Sequence, residues 1–177
     1  FATRGAITPA VAAQVTELTI EHVGNERVGS LAGLQAFTGL IQLTVSAQSL
    51  TELDVRPFRR LRELDCGYND LTILRLSGLQ DLRVLACSNN ALTQLDLDDL
   101  PALEHLDCSF NPLGYLQLSQ RVALRELTCA HAGLTQLDLS HCRKLSLLNA
   151  CTNRLSVLDL SGLQQLTSLD CAGNALI

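Results

Sequence analysis

From Leu40 to the last residue, apolar and polar positions recur in a fixed frame of 21 residues, and six stretches starting at Leu61, Leu82, Leu103, Leu124, Leu145 and Leu166 each open with Leu-x-x-Leu. In full the unit reads L-x-x-L-D-C-x-x-N-x-L-T-x-L-D-L-S-x-L-x-x, and Leu82 to Ala102 (LRVLACSNNALTQLDLDDLPA) shows it almost unaltered. The start of each unit alternates with a period of two, which predicts a strand. Leu64 and Cys66 turn inward, while Glu63, Asp65 and Gly67 face out. Leu95-Asp96-Leu97, Leu137-Asp138-Leu139 and Leu158-Asp159-Leu160 alternate in the same way, so a second short strand is expected on the opposite side of each coil. So short a unit cannot bury its own apolar face and leaves little room for helices. Its copies must stack into one continuous core.

The skeleton resembles the leucine-rich repeat family, L-x-x-L-x-L-x-x-N/C-x-L, from Val15 to the end, in the bacterial form with 21-residue units. The resemblance implies a β-rich solenoid. Its right-handed superhelix would carry a parallel sheet on the concave face and a second short-strand sheet on the convex one. The units are 15–39, 40–60, 61–81, 82–102, 103–123, 124–144, 145–165 and a partial 166–177. The first is longer, with Leu18, Ile20, Val23, Val28, Leu31, Leu34 and Phe37 at core positions. The second carries Gln48 where the frame calls for Asn. Residues 1–14 form an expected N-terminal cap: Thr8 is a candidate helix cap, Pro9 suits the first helical position, and a short helix over 9–14 would cover the first coil.

One column of the frame holds Asn69, Asn90, Asn111, Asn153 and Asn174, interrupted by Ala132. The family implies a ladder in which these amides bond backbone groups where each coil leaves its strand, and an unpaired buried polar group costs about 1–3 kcal/mol. The seven cysteines also resolve on the frame. Cys66, Cys87, Cys108, Cys129 and Cys171 share one inward column with Val45 and Ala150, and Cys142 falls among Phe58, Leu79, Leu100 and Leu163. They read as packed free thiols, because no C-x-x-C spacing offers a metal site and the odd count disfavours a disulfide scheme. Free thiols favour a reducing compartment, such as bacterial cytoplasm or host cytosol after delivery. Cys151 departs from this pattern. Ala150 takes its inward slot, which moves the thiol toward the surface, one column from His131.

Charge narrows the functional classes. A net charge of −5 and a pI near 5.2 weigh against nucleic acid. The basic group Arg56, Arg59, Arg60 and Arg62 reads as a solvated edge. Twelve arginines stand against a single lysine, Lys144. No apolar run is long enough to span a bilayer, and the opening FATRGAITPAVAAQ lacks the flanks of a signal peptide. The start at Phe1 suggests a piece of a longer chain. No metal or cofactor is expected.

Function belongs on the outward columns, where packing makes no demand. One column reads Gln42, Glu63, Val84, His105, Glu126, Leu147, Ser168 and the next Thr44, Asp65, Ala86, Asp107, Thr128, Asn149, Asp170. A third, beyond the strand, reads Ala47, Tyr68, Asn89, Phe110, His131, Thr152, Gly173. Only 3% of residues are aromatic, so Tyr68 and Phe110 in a single outward column mark a binding surface. His131, His105, Asp65, Asp107, Glu63, Glu126, Val84 and Leu147 complete the expected partner-binding set. Departures from the frame cluster between Arg121, which replaces a core leucine, and Cys151. If Arg121 cannot turn inward unpaired, Val122 should replace it. The chain is expected to be a non-catalytic module that recognises a protein through its concave face, in a bacterial effector or surface protein. A substrate-recruiting domain of an enzyme such as a ubiquitin ligase, and a scaffold or adhesin self-associating through its uncapped end, are the alternatives.

Overall fold

In the computed structural model, which describes residues 7–20, 31 and 33–177, eight parallel strands form one long sheet. They are β1 (Glu17–Thr19), β2 (Gln42–Thr44), β4 (Glu63–Asp65), β6 (Val84–Ala86), β7 (His105–Asp107), β8 (Glu126–Thr128), β9 (Leu147–Asn149) and β10 (Ser168–Asp170). Each strand pairs only with the coils before and after it, in a register that places Leu43, Leu64, Leu85, Leu106, Leu127 and Leu148 side by side. These six central leucines are buried, while Leu18 in β1 is partly buried and Leu169 in β10 is 43% exposed. One apolar core runs the length of the stack, and Leu18, Ile20, Leu31, Leu34 and Phe37 of the first unit pack partly buried against it. Val23 and Val28 lie outside the described residues.

The second sheet is small. It contains only β3 (Glu52–Asp54) and β5 (Ile73–Arg75), paired in parallel and crossed by an Arg75–Glu52 ion pair of 3.0 Å. The expected strands at Leu95–Leu97, Leu137–Leu139 and Leu158–Leu160 do not form. The two strands that do form carry the Arg75–Glu52 pair across them, whereas in the last full coils Asp138 would stand against Asp159. Those aspartates instead close tight turns, with Asp138 Oδ1 accepting from Ser140 N and Asp159 Oδ1 from Ser161 N, both at 2.9 Å.

Helix is scarce. A four-residue turn, α1 (Pro9–Ala12), starts at Thr8, whose Oγ1 accepts from Val11 N, and it touches the 3₁₀ turn Leu34–Ala36. The chain following α1 runs against Gly39, where an added Cβ would lie 2.2 Å from Ala13 O. Only glycine permits that approach.

Arg121 does turn inward and is 3% exposed. Its guanidinium donates to Leu97 O (2.6 Å), Leu100 O (2.7 Å), Asp98 O (3.2 Å) and Ser119 O (3.2 Å). Four carbonyls thus satisfy a buried cation that has no carboxylate partner among the described residues, and Val122 stays outside, 58% exposed.

Candidate recognition surface

The long sheet turns two residues of each strand outward. Its register aligns Glu17, Gln42, Glu63, Val84, His105, Glu126, Leu147 and Ser168 in one column and Thr19, Thr44, Asp65, Ala86, Asp107, Thr128, Asn149 and Asp170 in the next. Glu63 and Glu126 are exposed, while His105, Asp65, Asp107, Val84 and Leu147 are half-buried. Val84 and Leu147 therefore offer only part of their apolar surface. His105 Nδ1 lies 3.1 Å from Glu126 Oε2. Along the entry edge of the strands, Glu104 sits between Arg83 (3.2 Å) and Arg125 (3.5 Å), so those two arginines are already engaged.

The column beyond the strands has a property that residue identity alone does not announce. Ala47, Tyr68, Asn89, Phe110, His131 and Thr152 all have φ between 52° and 57°, and Gly173 has φ 69°. In this left-handed region an L side chain other than Asn or Asp costs about 1–2 kcal/mol. Asn89 and Gly173 suit the geometry and His131 is a residue type it tolerates; the bulky Tyr68 and Phe110 and the β-branched Thr152 do not suit it. The aromatic rings are not folded back over the core, since Tyr68 is 66% and Phe110 49% exposed. Phe110 and His131 stack with centroids 4.5 Å apart and planes at 14°. The sequence signal that could have revealed this turn was the Asn and Gly within the same column.

Between the strand and this turn runs a column of small residues: Ser46, Gly67, Ser88, Ser109, Ala130, Cys151 and Ala172. Gly67 does not face out as expected; it is buried, and a Cβ there would meet Ser88 O at 3.2 Å. The coils approach too closely here for large side chains. Asp65 Oδ1 accepts from Gly67 N and Asp107 Oδ1 from Ser109 N, both at 3.0 Å, which fixes each carboxylate at the end of its strand. Asn149 makes the same bond to Cys151 N at 3.1 Å.

Behind the turn, the asparagines bond across coils. Asn69 Oδ1 accepts from Gln48 N and Leu50 N, and Asn69 Nδ2 donates to Val45 O, Cys66 O and Gly67 O. Asn90, Asn111, Asn153 and Asn174 repeat this arrangement. Gln48 serves as the missing first rung, fully buried, with its Nε2 donating to Ile20 O and Ser46 O. At Ala132 the rung is absent, so Leu113 N bonds Asn111 O at 2.8 Å across Pro112, whose fixed φ suits such a three-residue turn.

Cys66, Cys87, Cys108, Cys129 and Cys142 are buried free thiols, and burial raises the pKa of each, to about 12 for Cys129 and about 11 for Cys142. Cys151 is half-buried rather than exposed, and so is Cys171. His131 meets Cys151 through backbone only, its N donating to Cys151 O at 3.1 Å, while the imidazole is taken up by Phe110. No metal-binding group of three His, Cys, Asp or Glu occurs among the described residues. No helix among them is long and apolar enough to cross a membrane.

The family model that matches, over residues 12–111, is the leucine-rich-repeat domain of the endo-beta-N-acetylglucosaminidase EndoS. Similar solved structures include the functional domain of InlJ from Listeria monocytogenes, which contains a cysteine ladder. It is 31% identical with TM-score 0.78 over 95% of this chain and 42% of that one. The internalin InlF from the same organism is 25% identical with TM-score 0.81, over 94% and 50%. YopM, a leucine-rich effector protein from Yersinia pestis, is 27% identical with TM-score 0.69, over 77% and 39%. The chain spans half or less of the length of each. No curated protein sequence matches it.

Proposed function

Because the chain belongs to the leucine-rich-repeat family, with bacterial-type repeats, we propose that it is a non-catalytic module of a bacterial effector or surface protein and binds a protein partner through the long sheet. The observation that carries this reading is the placement of Tyr68 and Phe110 on left-handed backbone. The core does not ask for them, since Tyr68 is 66% and Phe110 49% exposed, and asparagine or glycine would fit the turn without strain. An aromatic kept outside against a local cost is best accounted for by contact with another molecule. The description of YopM as an effector supports a role in interaction with a host, and the internalin likeness agrees with it.

The test is affinity capture from host and bacterial lysates with the parent chain and with a folded variant carrying Tyr68→Asn, Phe110→Asn and Asp107→Arg. A partner kept by the parent and lost by the variant supports recognition through this face. Partners indifferent to the changes move the binding surface elsewhere.

A second reading has its own observation. The matching family model comes from an enzyme acting on glycans, so this chain could recruit a substrate for a catalytic domain outside these residues. An enzymatic activity that needs the full-length protein and falls with the same variant would favour it.

A further inference from the structure

Between successive coils a groove recurs at one place in the frame, and its size changes along the chain. Leu76, Ser77, Asp96, Asp98, Asp99 and Leu100 line a groove of about 90 Å³. Three coils on, the residues at the same frame positions, Leu139, Ser140, Asp159, Ser161, Gly162 and Leu163, line one of about 590 Å³. The first is occupied by the chain's own acid: Asp99 Oδ2 accepts from Gly78 N at 3.1 Å, and Gln80 Nε2 donates to Asp99 O at 3.4 Å. In the second, glycine stands in place of that acid, and a Cβ added to Gly162 would meet nothing within 4 Å. His141 N, in place of Gly78 N, has no acceptor among the described residues. Arg143 replaces Gln80 in the wall, and its side chain makes no ion pair or hydrogen bond among those residues. An arginine in this column can reach the turn of the next coil. Arg59, four coils before Arg143, lies against Gly78, its Nη1 donating to Ser77 O at 3.2 Å and standing 1.5 Å from where a Cβ would be.

We infer that the groove at Gly162 binds a hexuronic acid, a sugar bearing one carboxylate, which takes the place that Asp99 fills three coils earlier. One carboxylate oxygen accepts from His141 N, and Arg143 folds onto the group as Arg59 folds onto Gly78, its planar fork meeting the two oxygens. The vacated acid position and the unpaired cation specify the carboxylate. The rest of the wall specifies the sugar. Asp138, Asp159, Gln164 and Gln165 offer acceptors and amides, whereas Leu137, Leu139 and Leu163 are at most 8% exposed, so little apolar surface is presented. Two wall carboxylates accept hydroxyl protons and repel further negative charge, which favours a hydroxyl-rich monoanion over a phosphate or a polyanion. The volume lies within the range of small-molecule sites, roughly 300–1,000 Å³. The groove shares no residue with the long sheet, so its ligand is independent of whatever that sheet binds.

The probes are methyl glucuronide and methyl galacturonide, titrated to millimolar concentration into the ¹⁵N-labelled protein beside methyl glucoside, acetate and glutamate capped at both ends. At least one uronide is expected to shift the amides of His141 and Gly162 and to bind about tenfold tighter than the glucoside or acetate. Arg143→Gln should weaken it about tenfold. Gly162→Asp, which restores the acid that the frame holds at Asp99, should abolish binding by filling the groove from within. Both positions are exposed, so the melting curves of the two variants should match the parent's. No shift with either uronide, equal binding of uronide and glucoside, or unchanged affinity in either variant overturns the assignment. Capped glutamate binding as tightly as the uronides would give the groove to an acidic protein side chain and refute the sugar.

Discussion

Replacing Asn111 with alanine should cost about 2–6 kcal/mol of stability, and the figure follows from counting which groups lose their only partner. The side chain is 1% exposed, accepts from Leu92 N at 3.0 Å and donates to Cys87 O, Cys108 O and Ser109 O at 3.0–3.2 Å. Two of these carbonyls keep another donor, since Asn90 Nδ2 still reaches Cys87 O and Asn89 N still reaches Ser109 O. Leu92 N and Cys108 O do not. Two buried groups left unpaired cost about 1–3 kcal/mol each. The coil with Ala132 in the same column shows how the chain copes where the rung is absent: Leu113 N is satisfied through Pro112. Asn111→Ala has no such outlet, because Ala91 stands where Pro112 stands one coil later. Urea unfolding followed by far-ultraviolet circular dichroism would measure the loss, and thermal melts should fall by about 2–4 °C for each kcal/mol. Pro112→Ala, which loosens the substitute turn, should cost less, about 0.5–1 kcal/mol. An Asn111→Ala variant within about 0.5 kcal/mol of the parent would refute the view that the amide column holds adjacent coils together.

Further outcomes follow from the same geometry. Thiol titration of the folded protein at neutral pH should modify Cys151 and Cys171 while the five buried thiols stay silent until the protein unfolds; rapid labelling of most thiols would contradict the packed column. Arg121→Leu should leave stability within about 1 kcal/mol or raise it, because the frame supplies leucine there, whereas Arg121→Ala should lose about 2–4 kcal/mol to a cavity; equal losses in both denaturation curves would show that the guanidinium bonds are needed in their own right. Tyr68→Asn and Phe110→Asn should stabilise the chain by roughly 1 kcal/mol through relief of the left-handed turn, and a fall in melting temperature would remove the strain argument. Asp54 has a folded pKa lowered from 3.8, first by its bond to Arg56, and turn bonds from Ser140 and Ser161 lower Asp138 and Asp159. Depressed carboxylates contribute above the unfolded value and lose that contribution as pH falls through the folded one. Stability should therefore decline below pH 3.8, and the triple Asp→Asn variant should melt with a shallower acid limb.

The period of 21 made the coils, the inward leucines and the register of the outward columns readable from residues alone, because each copy repeats the same packing demand. What escaped was set by coil-to-coil geometry. Gly67 alternates outward in the strand pattern yet is buried, since the chain there is already leaving the strand and the neighbouring backbone lies close. The left-handed turn was hidden behind tyrosine, phenylalanine and threonine, residues that ordinarily avoid it. Gln48 looked like a lost rung, but its longer side chain reaches back to Ile20 O. The second sheet is confined to the coils where Arg75 meets Glu52, and the same alternation in the later coils forms no strand. Composition and column single out Tyr68 and Phe110, and the backbone adds the conformational cost at which they are held outside.

Each strand of the long sheet bonds only to its sequence neighbours, so one 21-residue coil is the smallest step by which such a surface can evolve. Duplicating or deleting a coil preserves every pairing while moving the features on either side of it nearer or farther by about 4.8 Å. Distances along this face are therefore quantised by gene duplication, whereas their chemistry drifts freely by point substitution. A partner whose own spacing changed could be followed only in whole steps, and a lineage of such proteins would differ in length by multiples of the repeat.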